Sequence, residues 1–96
     1  LERMFQNAQL LADLVEQQEG MELAMRPQSN IVLFRPKQTN LAIEGIRRRL
    51  IDEGNAYLSA ADFGGKRWLR ASLMNPATGR EQFTSLLQAV LQMAKM

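Results

Sequence analysis

Arg70 is the residue of this chain whose type and setting point most directly to chemistry. It stands inside Trp68-Leu69-Arg70-Ala71-Ser72-Leu73-Met74, a run with the alternation of a β-strand that Asn75-Pro76 brings to a stop. A guanidinium set among apolar side chains requires an anionic partner. Its planar fork binds a carboxylate through two parallel hydrogen bonds, which suits it to recognising an acid group. Alternation puts Leu69, Ala71 and Leu73 on one side of the strand and Trp68, Arg70, Ser72 and Met74 on the other. The aliphatic set suits packing beneath helices. Arg70 then faces the opposite way, on a mixed polar and aromatic surface that a second domain or a ligand must complete. The competing reading of the same residue is a structural ion pair with Asp62 or with a group of the last helix.

Other clusters point less directly to a site. Arg47-Arg48-Arg49 has the look of a phosphate or RNA contact, yet Glu44 and Asp52 each stand four residues from Arg48, and Glu53 stands four from Arg49. That is the spacing of ion pairs along a solvated helix face. Gly64-Gly65 lacks the GK[ST] sequence and the strand-to-helix order of a phosphate-binding loop, so it reads as a hairpin turn. Trp68 and Tyr57 have the types of a base-stacking pair, but no aromatic-rich octapeptide of an RNA-binding sheet accompanies them, and packing is the better reading. With no cysteine and no histidine, disulfides and the usual zinc sites are excluded. No residue is assigned a catalytic role and none a metal.

The elements that must position Arg70 follow from periodicity. Leu1, Met4, Phe5, Ala8, Leu11, Leu14 and Val15 mark one face of a helix over residues 1 to 19, which Gly20 ends. Met21 to Met25 reads as a weak strand. The turn residues Arg26 to Asn30 separate it from a stronger strand, Ile31 to Arg35, which Pro36 closes. Thr39 or Asn40 is placed to cap a second helix through Ile43, Ile46 and Leu50, with Gly54 at its end. Ala56 to Ala61 and Arg67 to Met74 form an antiparallel hairpin across Asp62 to Lys66. A third helix runs from about Gly79 to Lys95 with Phe83, Leu86, Leu87, Val90, Leu91 and Ala94 inward. The order α-β-β-α-β-β-α predicts an α+β fold, a small mostly antiparallel sheet with helices on one face.

At 96 residues and 46% hydrophobic content the chain makes one domain, residues 1–96, with no second core. The net charge of +2 is too small an excess to make nucleic acid the expected partner. No run approaches the roughly 20 apolar residues of a membrane helix, so a soluble, cytoplasmic protein with no membrane partner is expected. Leu1 in place of a starting methionine reads as a cut point in a longer polypeptide.

The segments IRRRLIDEGNAYLSAADFGG and GKRWLRASLMNP, preceded by NIVLFRP, resemble the C-terminal small domain of the group II pyridoxal-phosphate-dependent amino-acid decarboxylases. That group contains the glutamate, 2,4-diaminobutyrate and aromatic amino acid enzymes, of the pyridoxal-phosphate fold-type I class. The most specific part is the final motif, where Trp68, Leu69, Arg70, Leu73, Asn75 and Pro76 occupy the family's places, and it favours the diaminobutyrate and glutamate branch. The resemblance implies a carboxy-lyase in which the cofactor ring accepts the electron pair left as carbon dioxide departs. It implies that Arg70 lies at the active-site edge and binds the substrate carboxylate. It also implies that the cofactor's lysine, aspartate and histidine belong to a large domain preceding Leu1, so that this segment binds no pyridoxal phosphate and is inactive alone. The expected partners are that large domain, the second subunit of a homodimer and an amino-acid substrate. The rival class is a stand-alone ferredoxin-like module that senses or binds a small carboxylate through Arg70. An RNA-binding domain using the arginine triplet is a third.

Overall fold

The computed structural model describes residues 2–52, 58–73 and 77–96. Its elements are α1 (Glu2–Gln17), β1 (Met21–Leu23), β2 (Ile31–Pro36), α2 (Ile43–Asp52), β3 (Leu58–Phe63), β4 (Lys66–Ser72) and α3 (Arg80–Ala94), the expected α-β-β-α-β-β-α order. The four strands lie in the order β1-β2-β4-β3, and every neighbouring pair is antiparallel. This is not the β-α-β-β-α-β sequence of a ferredoxin-like sheet.

One face of the sheet is sealed. Val32 and Phe34 of β2, Leu58 of β3 and Leu69 and Ala71 of β4 join Ala8, Leu11 and Val15 of α1, Ile43, Ile46 and Leu50 of α2, and Phe83, Leu87 and Val90 of α3 in a single core. Each helix thus buries its apolar stripe against the same side of the sheet, as the i, i+3, i+4 spacing of those residues requires. Phe34 and Phe83 are fully buried, and burial of a side chain of that size contributes about 1.5–3 kcal/mol.

The β3–β4 hairpin closes with two residues, shorter than the five-residue connection expected from Asp62 to Lys66. Gly64 and Gly65 have φ of 61° and 81°, the positive values that a two-residue type I′ turn demands and that any other L-residue adopts at a cost. The pairing therefore runs out to Phe63↔Lys66.

Local chemistry moves two other boundaries. Neither Thr39 nor Asn40 caps α2: the Thr39 hydroxyl donates to the Leu41 carbonyl, the Asn40 amide N–H donates to the Ala94 carbonyl at the end of α3 (2.8 Å), and the helix opens at Ile43. β1 ends at Leu23 because the chain beyond it is drawn to α1. There Arg26 binds Asp13 and Glu16 at 2.9 Å each, and the Gln9 side-chain amide donates to the Pro27 carbonyl. The expected strand residues Ala56, Tyr57 and Met74, and the Asn75-Pro76 stop, lie outside the described residues.

Candidate functional site

The sheet face turned away from the helices carries the side chains that the core excludes. Cross-strand register sets them in rows: Leu33, Arg70 and Ser59 in one, Ile31 and Ser72 in the next, Ala61 and Trp68 in a third. Arg70 sits in the middle strand pair, half-buried, with an apolar neighbour on β2 and a hydroxyl on β3. Its Nη1 lies 3.4 Å from Ser59 Oγ. Among the described residues no carboxylate pairs with it.

The alternative pairing with Asp62 is not formed, and alternation gives the reason. Asp62 opposes Arg67, whose side points to the helices, and the two make a bidentate pair at 2.9 and 3.1 Å. The last helix, α3, packs on the far side of the sheet. Arg70, Trp68 and Ser72 are brought onto one face as the sequence predicts, while Met74 lies outside the described residues.

Trp68 behaves differently from the expectation of an open aromatic surface. It is only 5% exposed although it lies on the sheet face opposite Leu69 and Ala71, which the helices cover. The cover is ionic: Arg35 Cζ and Lys66 Nζ each lie 6.0 Å from the ring centroid, and both side chains reach Glu22, at 3.7 and 3.4 Å. Cations over an aromatic face are attracted by its quadrupole, and a carboxylate between two of them offsets their repulsion. The indole N–H donates to the Phe63 carbonyl (2.9 Å), and Arg35 Nη1 donates to the Arg67 carbonyl (3.0 Å). Sequence reading missed Glu22, Arg35, Lys66 and Ser59 as neighbours of this face. The available signal was Lys66 two residues before Trp68, which places both on one side of a strand.

The arginine triplet forms an ion pair, with a different partner from the one its spacing indicates. Glu44 pairs with Arg47, three residues on, and also with Arg67 at 3.2 Å, rather than with Arg48. The hydrogen bond from Arg47 holds the Glu44 carboxyl below its usual range against the opposing effect of desolvation, aided by the charges of Arg47 and Arg67. Arg67 is pushed up, first by its hydrogen bond to Asp62 and then by that carboxylate's charge. The network binds α2 to the hairpin and leaves Arg47 engaged. Glu53, the expected partner of Arg49, lies outside the described residues. Among the described residues no three His, Cys, Asp or Glu side chains gather as a metal site, and no helix is long and apolar enough to cross a membrane.

A three-helix, four-stranded α+β domain with one sealed and one open sheet face, and an arginine on the open face, defines the class. No family model matches the chain and no curated protein matches it in sequence. Solved structures do. The glutamate decarboxylase domain of diaminobutyrate-pyruvate transaminase and L-2,4-diaminobutyrate decarboxylase from Vibrio parahaemolyticus superposes with a TM-score of 0.82 at 25% identity. That match covers 97% of this chain and 21% of the other. Oryza sativa TDC with PLP and tryptamine gives 0.71 at 17% identity, covering 97% and 22%. Catharanthus roseus tryptophan decarboxylase in complex with L-tryptophan gives 0.68 at 18%, covering 97% and 21%. The resemblance to the group II decarboxylases therefore holds over 97% of this chain, which spans only about a fifth of the length of the structures it matches.

Proposed function

We propose that this chain is the C-terminal small domain of a pyridoxal-phosphate-dependent amino-acid carboxy-lyase of the glutamate or L-2,4-diaminobutyrate type, a cytoplasmic homodimer. In this reading the open sheet face closes one side of the active site against the large domain, and Arg70 binds the substrate carboxylate. The observation that carries it is Arg70 itself: a half-buried guanidinium on the one face the helices leave bare, with a serine hydroxyl as its neighbour and no carboxylate paired with it among the described residues. A permanently charged fork held in that way is complementary to an incoming acid group. The likeness to the Vibrio parahaemolyticus decarboxylase domain supports the choice of branch.

No residue of this chain is assigned to the cofactor in this reading. There is no histidine to stack on its ring. Of the three lysines, Lys66 is held by Glu22 beside Trp68, and Lys37 and Lys95 line a groove at the end of α3 with Gly20 and Leu91. Cofactor chemistry is accordingly assigned to the large domain, and the isolated segment is expected to be inactive.

The test is Arg70→Lys in the full-length enzyme, which keeps the charge and removes the fork. A substrate-binding role predicts a fall in kcat/KM of about ten- to a hundredfold, the size of a charged hydrogen bond, with Tm changed by less than about 2 °C. Unchanged kinetics in a folded variant removes Arg70 from the site.

A further inference from the structure

We infer that Ser59 is a positioning residue for Arg70 and the second hydrogen-bonding group of the same carboxylate site; the inference rests on the reading of Arg70 given above. Ser59 is the direct cross-strand partner of Arg70, and on the other side of Arg70 stands Leu33, which offers no polar atom. Among the described residues, the one hydrogen bond of the Arg70 side chain is the long contact of its Nη1 with Ser59 Oγ, at 3.4 Å.

The chemistry of the pair is directional. The serine oxygen accepts from the guanidinium, which leaves the hydroxyl proton free to be donated elsewhere. A carboxylate seated on the fork takes two N–H bonds from Arg70, and the hydroxyl beside it supplies a third donor. Contacts that are long in an empty site tighten when the bound group arrives. Ser59 thereby fixes the rotation of the guanidinium about its long, otherwise free stem and reduces the ordering that binding requires. Burial favours this role: Ser59 and Arg70 are both half-buried, so the hydrogen bond competes with less water than one at the rim.

The position also sets a size limit. In a strand whose side chains stand perpendicular to the sheet, the short serine leaves the space above it open to the anion. A long polar residue such as Gln at the same register occupies that space, whereas Thr adds only one methyl.

The experiment is kinetic and uses the full-length enzyme. CO2 release is followed from L-glutamate, L-2,4-diaminobutyrate and the remaining common L-amino acids, in Ser59→Ala, Ser59→Thr, Arg70→Lys and the Ser59→Ala/Arg70→Lys double variant. For the amino acid turned over fastest, Ser59→Ala is expected to raise KM about three- to tenfold, with kcat within about twofold, as loss of one ground-state hydrogen bond predicts. Ser59→Thr, which keeps the hydroxyl and suits a strand, restores KM. Ser59→Ala costs less in the Arg70→Lys background than in the unaltered enzyme, because the part of its effect that acts through the fork is already gone. If Arg70→Lys raises KM and Ser59→Ala does not, the positioning role is overturned while the assignment of Arg70 stands. If Arg70→Lys changes nothing, the assignment of Arg70 falls first and Ser59 with it. If Ser59→Ala lowers Tm and kcat together and Ser59→Thr does not restore KM, the residue is structural and the inference fails.

Discussion

Trp68 shows how far a single residue can be read from its neighbours in sequence. Alternation puts it on the side of β4 opposite Leu69 and Ala71, and the structure agrees. Alternation does not reveal its roof, because Glu22 and Arg35 become neighbours of the indole only once β1, β2 and β4 pair in register. The same limit applies to Arg70. Its face is legible from the strand pattern, whereas the Ser59 hydroxyl opposite it depends on where the hairpin turns. The ionic roof is held by Glu22, so neutralising that residue leaves Arg35 and Lys66 close together over one ring with no counter-charge. Glu22→Gln is expected to loosen the roof, at a cost of about 1 kcal/mol or less for a network in which Glu22 and Arg35 are half-buried and Lys66 is exposed. Trp68 is the chain's single tryptophan, so its emission in the 96-residue chain reports the change directly. A shift to longer wavelength with little loss of Tm is expected. An unaltered spectrum shows that the cover is made by packing rather than by charge.

Element by element, the pattern of apolar residues was sufficient for three helices and four strands, since each helix had only one stripe to bury and the sheet one sealed face. The errors lay at ends, where backbone and side-chain polar groups took partners other than those the spacing indicates. Thr39 and Asn40 turned to Leu41 and Ala94 instead of the helix start, and Glu44 took Arg47 and Arg67 instead of Arg48. The Glu44 network makes a pH prediction. Its carboxyl is held below the ordinary value of 4.5 in the folded chain. The stability it contributes is therefore complete above that value and is lost as the pH falls through the lowered folded value. Arg67, whose guanidinium is pushed up further by Asp62, stays charged throughout this range. The Tm of Glu44→Gln is expected to lie below that of the unaltered chain at neutral pH, and the two curves to converge as the solution is taken below pH 4.5. Parallel curves across that range sink the claim that the Glu44 charge ties α2 to the hairpin.

For the whole molecule the balance of the two sheet faces is the decisive property. The helices bury the aliphatic residues of one face. The other holds Ile31, Leu33, Ala61 and Ser72 half-exposed, Phe63 at 45% exposure, and, among the described residues, Arg35, Lys66 and Arg70 against the single carboxylate of Glu22. Sequence could announce this asymmetry, because β4 alternates between aliphatic residues and a Trp-Arg-Ser set. It could not supply the surface that answers it, because complementarity is a property of two surfaces and this chain contains one. A face with that mixture of apolar area and excess positive charge fits a covering surface that is apolar with acidic groups, and the proposed function requires the large domain and substrate to supply it. Leu33 tests the idea, since it lies on the open face between β1 and β4 and takes no part in the core. Leu33→Gln is expected to change the stability of the 96-residue chain by no more than about 0.5 kcal/mol, as for an ordinary surface substitution. In the full-length protein the same change removes apolar area from a covered interface, and a loss of about 1–3 kcal/mol is expected from the unmet amide and the lost burial. Chemical denaturation of both forms decides the matter. Equal small losses in the two leave the face bare in the parent, and a large loss in the short chain places Leu33 within this domain's own packing.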